Sequence, residues 1–75
     1  MTAIEEARAA ALALIDKFIA EADLASAFAK READANLDDA DVRMVFHAEH
    51  LAAEAMSAAL EGAREALIRM MQEQS

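Results

Sequence analysis

The chain has no cysteine, proline, tryptophan or tyrosine, and Gly62 is the only glycine among its 75 residues. Without cysteine it forms neither a disulfide nor a thiolate metal site. Without proline, and with a single glycine, it has little of the turn chemistry that a β-sheet fold requires. Twenty-two alanines favour helix, as do the many leucine, glutamate, methionine and arginine residues. The composition therefore predicts an all-α protein.

Basic residues are also scarce, with seven Lys and Arg against fifteen Asp and Glu and a net charge of −8. Binding to a nucleic-acid backbone needs a cationic face, so we expect no nucleic-acid ligand. A basic protein is a more compatible partner. The acidic amino terminus does not resemble a signal peptide, and no apolar run approaches the ~20 residues that span a bilayer. We therefore expect a cytoplasmic protein with no membrane segment.

Four polar residues indicate where helices begin and end. Thr2 and Glu5 have the spacing of a capping box at the start of helix one. Asn36 is predicted to be a left-handed residue just after that helix. Asp38 is predicted to be the N-cap of helix two.

These positions predict a single helical-hairpin domain over residues 1–75. Helix one is expected at about 3–35, the turn at about 36–38 and helix two at about 39–74. So short a turn makes the two helices antiparallel. In the alternative, Asp23 caps a separate short helix, and the chain has three helices.

Helix two has more apolar surface than one partner helix would cover. At ~100° per residue its apolar residues span roughly 240°, against roughly 100° for an ordinary surface helix. A first stripe contains Val42, Val45, Phe46, Ala52, Ala53, Met56, Leu60, Ala63, Leu67, Met70 and Met71. A second stripe, mostly of small residues, contains Met44, Ala48, Leu51, Ala55, Ala58, Gly62 and Ala66. We expect the first stripe to pack on helix one and the second to form an oligomer interface.

Folding the chain about Leu37 places opposite each other residues whose numbers sum to about 74. Large residues then meet large ones and small residues meet small ones in most pairs: Ile4 with Met70, Leu14 with Leu60, Phe18 with Met56, Ala22 with Ala52, and Phe28 with Phe46. A compact domain of this size would bury only about 60% of its unfolded-chain surface. The expected architecture is therefore a homodimer of hairpins forming a four-helix bundle.

Glu49 departs from this pattern because it lies near the centre of the first stripe, opposite Ala25. A buried, unpaired carboxylate costs several kcal/mol, so Glu49 must be paired, protonated or near solvent. One interpretation places it at the hairpin edge with its carboxylate in water. Another makes it a polar residue that sets register at the oligomer interface, and a third makes it a catalytic acid.

His47, His50 and Glu54 share the narrow polar face of helix two. Their side chains are borderline ligands for Zn, Cu or Ni, so this set is a candidate metal site that a symmetry mate would complete. The alternatives are a solvated polar stripe and a pH-responsive patch.

No arrangement of nucleophile and base is recognisable in the sequence. An active site needs convergent groups in a pocket, but no motif surrounds the hydroxyl residues, which are Thr2, Ser26, Ser57 and Ser75. We therefore expect no enzymatic activity.

The turn and the spacing of the residues after it resemble those of Rop-type plasmid copy-number regulators. The residues that carry the resemblance are the turn Leu37, Asp38, Asp39, Ala40 and Asp41, the positions Val45, Ala53, Met56 and Leu60, and His50 following Glu49. The resemblance implies an antiparallel hairpin dimer. Glu49 stands where that family has an apolar core residue. The family binds paired RNA loops through a helix-one face rich in Lys, Asn, Gln and Phe, to which only Phe18, Arg8 and Lys17 correspond, so RNA binding is not expected here.

Three functions fit these features. The first is a small homo-oligomeric helical bundle that acts through protein–protein contact as a regulator, adaptor or inhibitor. The second is an acidic mimic of nucleic acid that inhibits a basic protein. The third is a metal-binding bundle that uses His47, His50 and Glu54.

Overall fold

Two long helices joined by a short turn make up the fold. The computed structural model describes residues 2–73, in which α1 is Ala3–Ala35 and α2 is Ala40–Glu73. The helices pack along their length as a hairpin 56 Å long and 18 Å wide. Between residues 2 and 73 there is no strand, and neither helix is long and apolar enough to cross a membrane. The predicted all-α hairpin is confirmed.

The start of α1 is capped as predicted. The Thr2 hydroxyl oxygen accepts a hydrogen bond from the Glu5 amide at 3.2 Å, which satisfies one of the amides left unpaired at a helix start. From there α1 continues without interruption to Ala35, so the alternative break at Asp23 is wrong. The Asp23 carboxylate instead accepts a hydrogen bond from Ser57 on α2, and good helix formers surround it.

The turn closes without a left-handed residue. Asn36 has φ −113° and ψ 43°, and no residue in the described chain has a positive φ. Its side-chain amide donates to the Glu32 carbonyl at 2.7 Å, and its backbone amide donates to Ala33 at 3.3 Å. The predicted left-handed conformation at Asn36 is therefore wrong, because the Asn side chain satisfies an end carbonyl of α1 directly.

Asp39 rather than Asp38 caps α2. Its carboxylate accepts a hydrogen bond from the Val42 amide at 3.2 Å, and α2 begins at the next residue, Ala40. The predicted N-cap at Asp38 is one residue too early, and both aspartates suit the role by residue type. The predicted helix end at Gln74 lies outside the described residues.

Small side chains fill the line of contact between the helices, which we call the seam. The buried residues are Ala22, Ala29 and Ala33 of α1 and Ser57 of α2. Such short side chains allow two helices to approach closely. They also bury little apolar area, and the large apolar side chains beside them, such as Ile15, Phe46 and Leu60, are only half-buried, so the hydrophobic core of the hairpin is thin.

Near the turn the helices have the predicted register. The Phe28 and Phe46 rings lie 6.3 Å apart with their planes at 79°, an edge-to-face contact. Farther from the turn the contacts are offset, because Ser57 bonds to Asp23 and Arg64 bonds to Asp16, pairs whose numbers sum to 80.

Candidate interaction face

One side of the hairpin presents an apolar surface to which both helices contribute. Its residues recur at intervals of three, four or seven along each helix, which places them on one side, and all of them are exposed. We call this surface the open face, and it contains Leu14, Phe18, Ala25 and Phe28 of α1 and Val45, Ala52, Met56, Ala63 and Met70 of α2.

A shallow groove of about 460 Å³ runs along the middle of the open face. It is lined by Phe18, Glu21, Ala22, Ala25, Glu49, Ala52, Ala53, Met56 and Leu60. Phe18, Ala22 and Ala25 of α1 share this groove with Glu49, Ala52 and Met56 of α2, the residues with which the sequence pairs them. Four of the nine lining residues are alanines, and one of these, Ala22, is buried in the seam.

The expectation that the first stripe packs on α1 is wrong for three of its large members, Val45, Met56 and Met70, whereas Val42, Phe46, Leu60, Leu67 and Met71 are half-buried. Val45, Met56 and Met70 are 57%, 59% and 55% exposed, and Phe18 on α1 is 44% exposed. The residues that the contact buries fully are alanines and a serine, and large side chains such as Leu12, Ile15, Phe46 and Leu60 are half-buried beside them. Val45, Met56 and Met70 lie farther out, on the open surface.

Two carboxylates line the otherwise apolar groove. Glu49 and Glu21 are both exposed, and they line the groove from opposite helices. The position of Glu49 agrees with the interpretation that it lies at an edge near solvent. Sequence reasoning missed Glu21, although it follows Phe18 by three residues and therefore shares its side of α1.

The predicted oligomer stripe of α2 is also exposed along its whole length. It comprises Met44, Ala48, Leu51, Ala55, Ala58, Gly62 and Ala66. No atom lies within 4 Å of the position that a Cβ at Gly62 would occupy, so nothing inside the hairpin requires glycine there. The stripe lies on α2 alone, with Met44 and Ala58 at the margin next to α1, and its role as an interface stays a prediction.

A polar network crosses the seam on the side opposite the open face. The Ser26 hydroxyl lies 2.8 Å from His50 Nδ1, and His50 Nε2 lies 3.2 Å from Glu54 Oε1. Beside it the Ser57 hydroxyl donates to the Asp23 carboxylate at 2.7 Å. In the part of the chain that the structure describes, no buried side-chain nitrogen or oxygen atom lacks a hydrogen-bond partner. This network makes His50 half-buried rather than part of a solvated face.

The network brings together a hydroxyl, an imidazole and a carboxylate, which the sequence did not suggest. The sequence does contain a pattern that predicts it. The spacing of Asp23, Ser26 and Lys30 places them on one side of α1, and the spacing of His50, Glu54 and Ser57 places them on one side of α2. Acyl transfer also needs hydrogen-bond donors for an oxyanion. Ser26 lies in the interior of α1, where backbone amides donate to carbonyls one turn earlier, and His50 Nδ1 also lies 3.1 Å from the Ser26 carbonyl. The arrangement therefore supplies hydrogen bonds across the seam, and the backbone of this stretch of helix offers no free amide as an oxyanion donor.

The three predicted metal ligands do not share one site. His50 and Glu54 lie together in a polar depression beside the seam, whereas His47 lines a separate depression near the turn with Asp34 and Arg43. Over residues 2–73, no group of three His, Asp or Glu side chains has an arrangement that would hold a metal ion. Zinc binding completed by a second subunit stays a prediction.

No protein-family model matches the chain, and neither a curated protein nor a solved structure is significantly similar to it. The resemblance to Rop-type regulators therefore rests on the hairpin shape and on the residues quoted above. It stays a hypothesis about shape.

Proposed function

We propose that this protein acts through protein–protein contact as a homo-oligomer, in which hairpins pair through their open faces to form a helical bundle. The observation that carries the proposal is the contrast between the seam and the open face. The seam buries three alanines and one serine, while large apolar side chains from both helices remain exposed. Contiguous exposed apolar surface of this kind marks interaction sites in folded proteins.

The size of the open face suits a stable dimer. A side of the hairpin 56 Å long and 18 Å wide has an area of about 1,000 Å², whereas a standard interface buries roughly 800 Å² per partner. The two helices of a second hairpin are together wide enough to cover the open face. The open face is a better candidate for the principal interface than the stripe on the back of α2, because it includes both helices and most of the aromatic rings.

Native mass spectrometry of the isolated protein tests the proposal, with a chelator-treated sample beside it. We expect a dimer in both samples, because apolar burial rather than a metal holds the subunits together. A monomer in both samples would contradict the proposal. A dimer that dissociates only in chelator would favour the metal-binding hypothesis for His50, Glu54 and His47.

A pair of charge-introducing variants locates the interface. Phe18→Glu places a carboxylate in the groove, and we expect the dimer dissociation constant to rise by at least about tenfold. Leu24→Glu is the matched control, since Leu24 is 71% exposed but does not line the groove. Equal weakening by both variants would show that the open face is not the interface.

A further inference from the structure

The groove of the open face contains two acids and, among the described residues that line it, no base. The acids are Glu21 and Glu49, and both are exposed. Between residues 2 and 73, neither of these side chains forms a hydrogen bond or an ion pair. Lys17 lies one helical turn before Glu21 on α1, but it does not line the groove. Water therefore solvates both carboxylates in the free hairpin.

A second copy of the chain does not bring a base from its own open face. When two open faces meet, each groove is covered by an identical surface, and the residues of that surface include no lysine or arginine. Every pairing of the faces therefore adds two more carboxylates to the interface, whatever its orientation. A carboxylate that leaves water without a partner carries a large desolvation penalty. The dimer is thus a contact in which the charges of the groove are not matched.

The shape of the groove suits a helix. On α2 its lining residues extend from Glu49 to Leu60, about 16 Å at 1.5 Å per residue, which is three turns of helix. A helix that lies in an apolar groove is held there by apolar side chains at intervals of three and four residues. Beside α1 and α2 such a helix would complete a three-helix bundle, with its apolar stripe against Phe18, Met56 and Leu60.

We propose that the open face also binds a partner of a second kind, an amphipathic helix with a lysine or arginine within its apolar stripe. The apolar side chains of this helix cover the groove, and its basic group pairs with Glu21 and Glu49 as these lose water. A carboxylate paired with a base in a dry contact is favoured over one left alone there. The position of the base, rather than the net charge of the partner, therefore determines the affinity.

The partner helix and the second copy exclude each other, because both need the open face. The free protein is then a dimer, and binding of the partner releases a single hairpin. This inference goes beyond the proposed self-association and shares with it only the use of the same face.

Two isomeric model peptides test the proposal, because they differ only in where the base lies. Each has about 20 residues, enough to hold a helix in water, with a stripe of leucine and alanine on one side. In the first peptide two lysines lie within the stripe and two glutamines lie on the opposite side. In the second peptide these residues are exchanged, so net charge, composition and apolar surface are the same. Fluorescence anisotropy of the labelled peptides measures the dissociation constant of each.

We expect the first peptide to bind at least about tenfold more tightly than the second. Glu21→Gln with Glu49→Gln should remove this difference, because the variant keeps the size of the side chains and loses their charges. Glu61→Gln with Glu65→Gln is the matched control. It removes the same net charge outside the groove, so the difference between the peptides should remain.

Three results would overturn the proposal. Equal affinities of the two peptides would indicate binding by net charge, as the acidic-mimic hypothesis expects. Binding of neither peptide would show that the open face does not accept such a helix. A difference that persists without the two groove acids would show that they do not pair with the base.

Native mass spectrometry of the same mixtures separates this proposal from the proposed self-association. The protein alone should be a dimer, and saturating amounts of the first peptide should convert it to one hairpin with one peptide. A dimer that carries peptide would show that the two partners use different faces and would overturn the shared site. If the protein alone is a monomer and prefers the first peptide, self-association fails and the partner assignment stands. If the protein alone is a dimer and shows no preference, the partner assignment fails and self-association stands.

Discussion

At the scale of single residues, the two helices are linked by polar side chains that a helical wheel does not assign to an interface. Ser57 is the most buried polar residue, and its hydroxyl bonds to Asp23 across the seam. Ser26 and His50 make a second link between the helices. A wheel places a residue relative to its own helix axis, but it does not say where the neighbouring helix lies. The contacts of Ser26, His50 and Ser57 therefore became visible only when both helices were placed.

Replacing Ser57 with alanine should lower the free energy of unfolding by about 1 kcal/mol, because a buried hydroxyl loses its bond to the Asp23 carboxylate. Urea denaturation measures the loss, and a double-mutant cycle with Asp23→Ala isolates the interaction. Fully additive effects of the two substitutions would show that the hydrogen bond does not contribute to stability.

Replacing Gly62 with alanine distinguishes between two roles for this position. If the stripe around Gly62 contacts no second subunit, the alanine variant should be about 1 kcal/mol more stable. The added methyl group meets no neighbouring side chain, and glycine disfavours helix. If the stripe around Gly62 is a close-packed interface, the same change should weaken assembly instead. Denaturation and native mass spectrometry on one sample separate these outcomes.

At the scale of the elements, helix bounds followed well from local chemistry. Capping residues and a short turn predicted α1 as the structure has it and placed the start of α2 within one residue. The side of each helix that forms the seam was not predictable in the same way. Alanine suits both a surface and a close helix contact, so a chain with twenty-two alanines has several faces on which helices can pack. In the structure the fully buried positions are three alanines and Ser57, large apolar residues such as Leu12, Phe46 and Leu60 are half-buried beside them, and others remain exposed on the open face.

Two adjacent aspartates provide a matched test of the start of α2. Asp39→Ala should lower the free energy of unfolding by about 1 kcal/mol, because the Val42 amide loses its carboxylate acceptor. Asp38→Ala removes the same charge next to it and should change stability by less than about 0.5 kcal/mol. A larger loss at Asp38 than at Asp39 would place the cap where the sequence first suggested it.

At the scale of the whole molecule, stability and association should be inseparable. The seam buries little apolar surface, so in our proposal most burial comes from the contact between open faces. The net charge of −8 opposes association weakly at a distance, and added salt screens this repulsion. A basic protein that bound the monomer with salt-sensitive affinity would instead support the acidic-mimic hypothesis.

The melting temperature should therefore rise with protein concentration. Circular dichroism over about a hundredfold range of concentration measures this, because an equilibrium that couples folding to association shifts by mass action. Phe18→Glu should lower the melting temperature at every concentration, while Leu24→Glu should follow the native protein. A melting temperature that does not depend on concentration would indicate a hairpin that is stable alone.

The hairpin also determines where attached domains would emerge. Because the two helices are antiparallel, Thr2 and Glu73 lie at the end away from the turn, so a fluorescent protein fused to either terminus would emerge from the same end. The turn lies at the opposite end of the hairpin, which is 56 Å long. The hairpin would then hold a terminal fusion and a label in the turn a fixed distance apart, and energy transfer between the two fluorophores would report that length.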